Sequence, residues 1–134
     1  MTSLAKARLH SIFPTERRGD TLIVTPQGDA IGFSPNQIQA ELRGLEQMLG
    51  REPVVNLIVD LEHTNYFGSE MIGFINRLGT KARRSGGRTA LCNVSADMQG
   101  VFEVMNLDEI WESYETTRSA VRAACPRPSR LSIW

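Results

Sequence analysis

Histidine and cysteine are nearly absent: the 134 residues contain two of each. His10 and His63 lie far apart, and no His/Cys spacing matches a metal site. Cys92 sits inside the apolar run LCNV and reads as a buried small hydrophobe. Cys125 opens a proline-rich end, CPRPSRLSIW. Two cysteines placed in this way do not make a disulfide framework. No apolar run approaches the ~20 residues that span a bilayer, and MTSLAKARLHSIF lacks the long apolar stretch of a secretory signal. A reduced, cytoplasmic protein is therefore expected. Charge of one sign is also lacking: Lys plus Arg number 15, Asp plus Glu number 15. The total carries no excess of cations of the kind that marks a nucleic-acid binder. Internal repeats and low-complexity segments are absent. No metal, cofactor, nucleic acid or membrane is expected as a partner.

What is present is a chain of one-domain length with an alternating pattern. Residues 9–18 and the segment TLIVTP read as two strands, with Gly19-Asp20 as the turn and Pro14 marking an edge or a bulge. Ser34-Pro35-Asn36-Gln37 is a helix start, with a serine cap, a proline at the first helical position and a glutamine placed to reach back. Ile38, Leu42, Leu45 and Leu49 follow at helical spacing, and Gly50 supplies the stop. Residues 54–61, VVNLIVDL, read as a strand covered on both faces. From Ser69 a second helix carries Met71, Ile75, Leu78 and Ala82, with Arg83 and Arg84 in its last turn and Gly86-Gly87 after it. A strand over residues 88–94 comes next. A short helix follows, capped by Ser95 or Asp97 and bearing Met98, Val101, Phe102 and Met105. A strand over 110–114 and a helix from Thr116 or Thr117 to Ala124 complete the order β-β-α-β-α-β-α-β-α. This predicts an α/β fold with a mixed sheet of about five strands and four helices. The domain is placed at residues 1–124, with a flexible tail over 125–134.

Sites in parallel sheets lie beyond the carboxyl ends of the strands. Asp60, Glu62 and His63 crowd such an end. They could serve as acid–base groups of an enzyme or line a small-ligand pocket, or Asp60 could bond nearby backbone N–H groups. Cys92, on a buried strand, is a poor nucleophile. Ser85-Gly86-Gly87 follows a helix and precedes a strand, the reverse of a phosphate loop, and reads as a helix C-cap. The segment Asn65-Tyr66-Phe67-Gly68-Ser69-Glu70-Met71 places two aromatics before a helix N-terminus, an end that favours negative charge by roughly 0.3–1 kcal/mol. It reads either as an ordinary cap or as a binding end suited to a carboxylate or a phosphoserine.

Taken together, these pieces resemble the STAS family, named for sulphate transporters and anti-sigma-factor antagonists. In that family an apolar strand ends in Asp-Leu, and Asp-Ser-Ser-Gly-Leu-Gly then opens a helix. Asp60-Leu61, the pair Tyr66 and Phe67, Ser69, Ile72 and Gly73 match without a gap. Downstream, RRSGGRTALCNVSADMQGVFEVMNLDEIWESYET is similar to the second half of the family. The resemblance implies a regulatory, non-enzymatic domain that binds a serine kinase acting as anti-sigma factor, with phosphorylation of the second serine breaking the contact. Here Gly68 stands for the aspartate, Glu70 for the second serine and Met71 for the glycine after it. Glu70 has no hydroxyl to phosphorylate and carries one negative charge, against about −1.5 to −2 for phosphoserine. Three versions stay open: Ser69 is the acceptor, the partner binds without a switch, or the domain serves another binding role. Gly28-Asp29 matches a family Gly-acid pair ahead of the first helix. The implied partner surface is Tyr66, Phe67, Gly68, Ser69, Glu70 and Met71 with Gly28 and Asp29. A homodimer stays open. So does a structural subunit with a self-complementary patch at Trp111 or Trp134.

Overall fold

The computed structural model describes residues 12–27, 34–51, 54–64, 69–107 and 110–124, without the side chains of 69–71. The elements run β1 (Thr15–Arg18), β2 (Thr21–Val24), α1 (Pro35–Met48), β3 (Asn56–Asp60), α2 (Ser69–Arg84), β4 (Thr89–Cys92), α3 (Ala96–Val104), β5 (Glu112–Tyr114) and α4 (Thr117–Ala124). This is the expected order. One sheet holds the five strands in chain order, β1 antiparallel to β2 and every later pair parallel.

Local chemistry explains the boundaries. Gly19 takes a φ of +61°, which turns β1 into β2. Past Pro14, which has no N–H to give, pairing survives only through carbonyls: Thr25 N–H donates to Pro14 O (2.9 Å) and Gln27 N–H to Ile12 O (3.0 Å). Proline therefore stands beside an edge strand, as its chemistry requires. Ser34 and Gln37 cap α1 reciprocally, Gln37 N–H to Ser34 Oγ at 3.1 Å and Ser34 N–H to Gln37 Oε1 at 2.7 Å. Ser95, not Asp97, caps α3, accepting from Met98 N–H at 3.2 Å. Thr116 caps α4, its Oγ1 accepting from Ser119 N–H at 3.1 Å.

A sheet that steps in one direction through right-handed crossovers sets the crossover helices on one face. The main core agrees: Ile38, Leu42 and Leu45 of α1, Ile75 and Leu78 of α2, and Met98 and Phe102 of α3 meet Leu22, Leu57, Val59 and Leu91. The alternate strand residues, Ile23, Ile58, Ala90 and Cys92, face the other way and are covered by Ala120 and Ala124 of α4. The small side chains there let one short helix approach closely. β3 is buried along its whole length, as expected of a strand covered on both faces.

Two expectations need correcting. Met105 does not extend the buried stripe of α3, because the helix ends at Val104 and leaves it 44% exposed. The last strand is shorter than 110–114, beginning at Glu112, because Ile110 and Trp111 N–H groups both turn back to Leu107 O.

Candidate functional site

The carboxyl ends of β3 and β4 and the N-terminus of α4 converge. Asp60, the last residue of β3, is 5% exposed. Its Oδ1 accepts from Glu62 N–H (3.0 Å) and Asn93 Nδ2 (2.8 Å), and its Oδ2 from Thr117 Oγ1 (2.8 Å). Asn93 also donates to Thr117 Oγ1 at 3.2 Å. It holds this pose with a φ of +57°, a conformation asparagine tolerates better than most residues. The carboxylate thus ties the ends of two strands to the start of α4. Sequence reasoning raised the backbone bond but missed Asn93 and Thr117, which lie 33 and 57 residues away. The one local signal was an asparagine inside the expected strand 88–94, a residue type that strands disfavour; the strand in fact ends before it, at Cys92.

Glu62 and His63 do not join Asp60. Both are exposed and form a surface pair at 3.5 Å, an interaction worth at most about 1 kcal/mol. With both Asp60 oxygens occupied by internal donors, the three residues form no catalytic constellation. Cys92 is fully buried. Burial pushes its thiol up to about 11, with the charges of Asp60 and Glu62 adding and the Thr117 hydroxyl opposing. In the native protein at pH 8, iodoacetamide should alkylate the Cys92 peptide ~100-fold more slowly than in urea, read by mass spectrometry. Equal rates would refute its buried placement.

The two loops assigned to partner binding leave the sheet side by side. Chain enters residues 28–33 from Gln27 and residues 65–68 from Thr64. Thr64 Oγ1 donates to Pro26 O at 3.1 Å, joining these two exits. Leu61 N–H bonds Cys92 O (3.0 Å) and Thr64 N–H bonds Leu61 O (3.1 Å), so the stem of the second loop is fixed. Helix α2 opens at Ser69, with Glu70 and Met71 in its first turn. Gly28, Asp29, Tyr66, Phe67 and Gly68 lie outside the described residues.

The sequence profile of the STAS domain matches residues 13–120. The chain belongs to the STAS domain family. No curated protein matches it in sequence. Among solved structures, a STAS anti-sigma-factor antagonist domain protein from Planctomyces limnophilus is similar at 22% identity and a TM-score of 0.68, covering 84% of this chain and 97% of that one. A putative anti-sigma factor antagonist from Thermotoga maritima reaches 20% and 0.71, over 86% of this chain and 96% of that one. The anti-sigma factor antagonist SpoIIAA in its unphosphorylated form reaches 18% and 0.69, over 83% and 94%. At these identities the likeness is one of fold.

Within this STAS fold Trp111 is no surface patch. It is buried, donates Nε1–H to Asn76 Oδ1 at 3.4 Å, and lies beneath the Arg83 guanidinium, 5.9 Å from the ring centre. The self-complementary patch expected at Trp111 is therefore overturned; Trp134 lies outside the described residues. Among the described residues, no group of three His, Cys, Asp or Glu side chains could hold a metal, and no helix is long and apolar enough to cross a membrane.

Proposed function

We propose that this STAS domain is a cytoplasmic, non-enzymatic regulator of the anti-sigma-factor-antagonist type, with residues 1–124 as the binding unit. Its partner is a serine kinase that doubles as an anti-sigma factor. The contact is made by Gly28 and Asp29 on one loop and by Tyr66, Phe67, Gly68, Ser69, Glu70 and Met71 on the other. The observation that carries this reading is the Thr64–Pro26 hydrogen bond, which brings the stems of those two loops together at one end of the sheet. Glu70 occupies the position of the family's phosphorylated serine. It supplies a fixed single charge at a helix N-terminus, where the dipole stabilises it, but not the three oxygens of a phosphate.

The test is affinity capture from native cell extract with wild type, Glu70→Ser, Glu70→Ala and Ser69→Ala baits, followed by mass spectrometry and a reading of phosphate on Ser69. A kinase-like ATPase should be recovered, with capture changed about tenfold at position 70, roughly 1.4 kcal/mol. Four baits that behave alike, with no such ATPase, would leave the segment as a helix cap and refute the reading.

A further inference from the structure

The chain as a whole is neutral, yet the described structure gathers cations along one side. On the outer face of α2, Gly73, Arg77, Lys81 and Arg84 are all exposed and recur at the spacing of a single helical face. They span about 16 Å. Together with Glu46 of α1 they line a cleft of about 310 Å³. Arg77 is committed to Glu46, through Nη2–Oε1 at 2.9 Å and Nε–Oε2 at 3.3 Å. Lys81 and Arg84 have no carboxylate partner among the described residues. Gly50 lies beside them, where a built Cβ would be in ordinary van der Waals contact with Lys81 Cε, at 3.6 Å. The next residue, exposed Arg51, carries the band to a neighbouring recess that it lines with Arg17.

We propose that this face of α2 receives an acidic helical segment of the protein partner, an inference that rests on the protein-binding reading above. Three features select that occupant. Cations at positions 77, 81 and 84 follow a helical period, so carboxylates at a matching period on a second helix would meet them in register. Gly73 offers open space above its backbone, with nothing within 4 Å of a Cβ built there, so a partner helix can come close. Glu46 sits in the cleft and opposes a continuous polyphosphate, and no aromatic side chain lines the cleft to stack a base. The face continues from the helix end that bears Ser69 and Glu70. A partner seated on the loops would therefore reach it by running down α2.

The probe is a helical peptide of about 16 residues, ~four turns, with glutamates at i, i+4 and i+7. It is titrated against the ¹⁵N-labelled full chain. Amides of residues 73–84 should shift, and rising salt should weaken binding. Lys81→Glu with Arg84→Glu should weaken binding at least tenfold while leaving the rest of the spectrum native. Gly73→Trp should block the cleft with no change of charge. The proposal is overturned if the peptide leaves 73–84 unmoved, if neither variant weakens binding, or if a DNA duplex or phosphatidylserine-containing vesicles bind this face more tightly than the peptide. A kinase-like ATPase captured equally well by the Lys81→Glu, Arg84→Glu bait would overturn the α2 contact and leave the loop reading intact. Peptide binding in the absence of any such ATPase would support the α2 contact and count against the identity of the partner.

Discussion

Gly87→Ala is expected to cost at least ~3 kcal/mol, the largest loss of any glycine-to-alanine change among the described residues. Gly86 and Gly87 end α2 in a Schellman motif: Gly86 N–H bonds Arg83 O at 3.0 Å and Gly87 N–H bonds Ala82 O at 2.9 Å. The two glycines serve for different reasons. Gly86 has a φ of +87° in open space, so alanine there pays mainly for the left-handed backbone, about 1 kcal/mol. A Cβ on Gly87 would fall 1.8 Å from Val55 O and 3.1 Å from Asn56 N. Those atoms are backbone at the entry to the central strand and cannot rotate aside. Relief would have to displace a junction where Asn56 N–H bonds Asp20 O (3.0 Å) and Arg88 N–H bonds Asn56 Oδ1 (2.8 Å). Gly44, in mid-helix with nothing nearby, is the opposite control: alanine should stabilise by ~0.5–1 kcal/mol. Urea unfolding of the three variants gives the ordering. A Gly87→Ala cost within error of that for Gly86→Ala would mean that the close approach is wrong.

The order of elements was legible because each boundary carries its own chemistry. Ser34 through Gln37 start α1 with contacts confined to four neighbouring residues, and Gly50 and Gly86 stop helices by conformations open to glycine. The buried stripe Ile38, Leu42, Leu45 and Leu49 follows from period alone. What sequence could not give depends on distant pairing. Trp111 looked like surface because it stands in the turn ahead of a three-residue edge strand, where there is too little pattern to assign a face; its burial follows from Asn76 and Arg83 on α2. The basic face of α2 was invisible in a zero net charge, since totals record nothing about segregation. The loop assignment came from the order of short motifs. The Thr64–Pro26 contact, between residues 38 apart, lies beyond any local pattern.

Asp60→Ala is the other large loss, expected at ~3 kcal/mol, because a buried hub differs from a buried catalytic acid in what its removal leaves behind. Alanine would strand the Asn93 amide, the Thr117 hydroxyl and the Glu62 N–H, each without the acceptor it now has. Asn93 would keep its left-handed φ without the bonds that compensate for it. Asp60→Asn keeps the shape and one oxygen. That oxygen can still accept from Asn93 and Glu62, while the new amide can donate to Thr117 Oγ1. Its cost should stay near 1 kcal/mol. A catalytic acid behaves otherwise: its neutral replacement leaves stability unchanged or raises it, since active-site charges are held at the expense of the fold. Thr117 separates the two readings further. In a double-mutant cycle of Asp60→Ala with Thr117→Val, the hub requires a coupling of about 1 kcal/mol or more, because each change removes the same bond. Additive losses, or an Asp60→Ala cost below ~1 kcal/mol, would release the carboxylate from its structural role. The enzyme reading would then regain its leading residue. With the coupling present, Asp60 anchors the stem of the loop that leads into α2, and the end of the domain proposed to bind the partner takes its geometry from a carboxylate held entirely by internal donors.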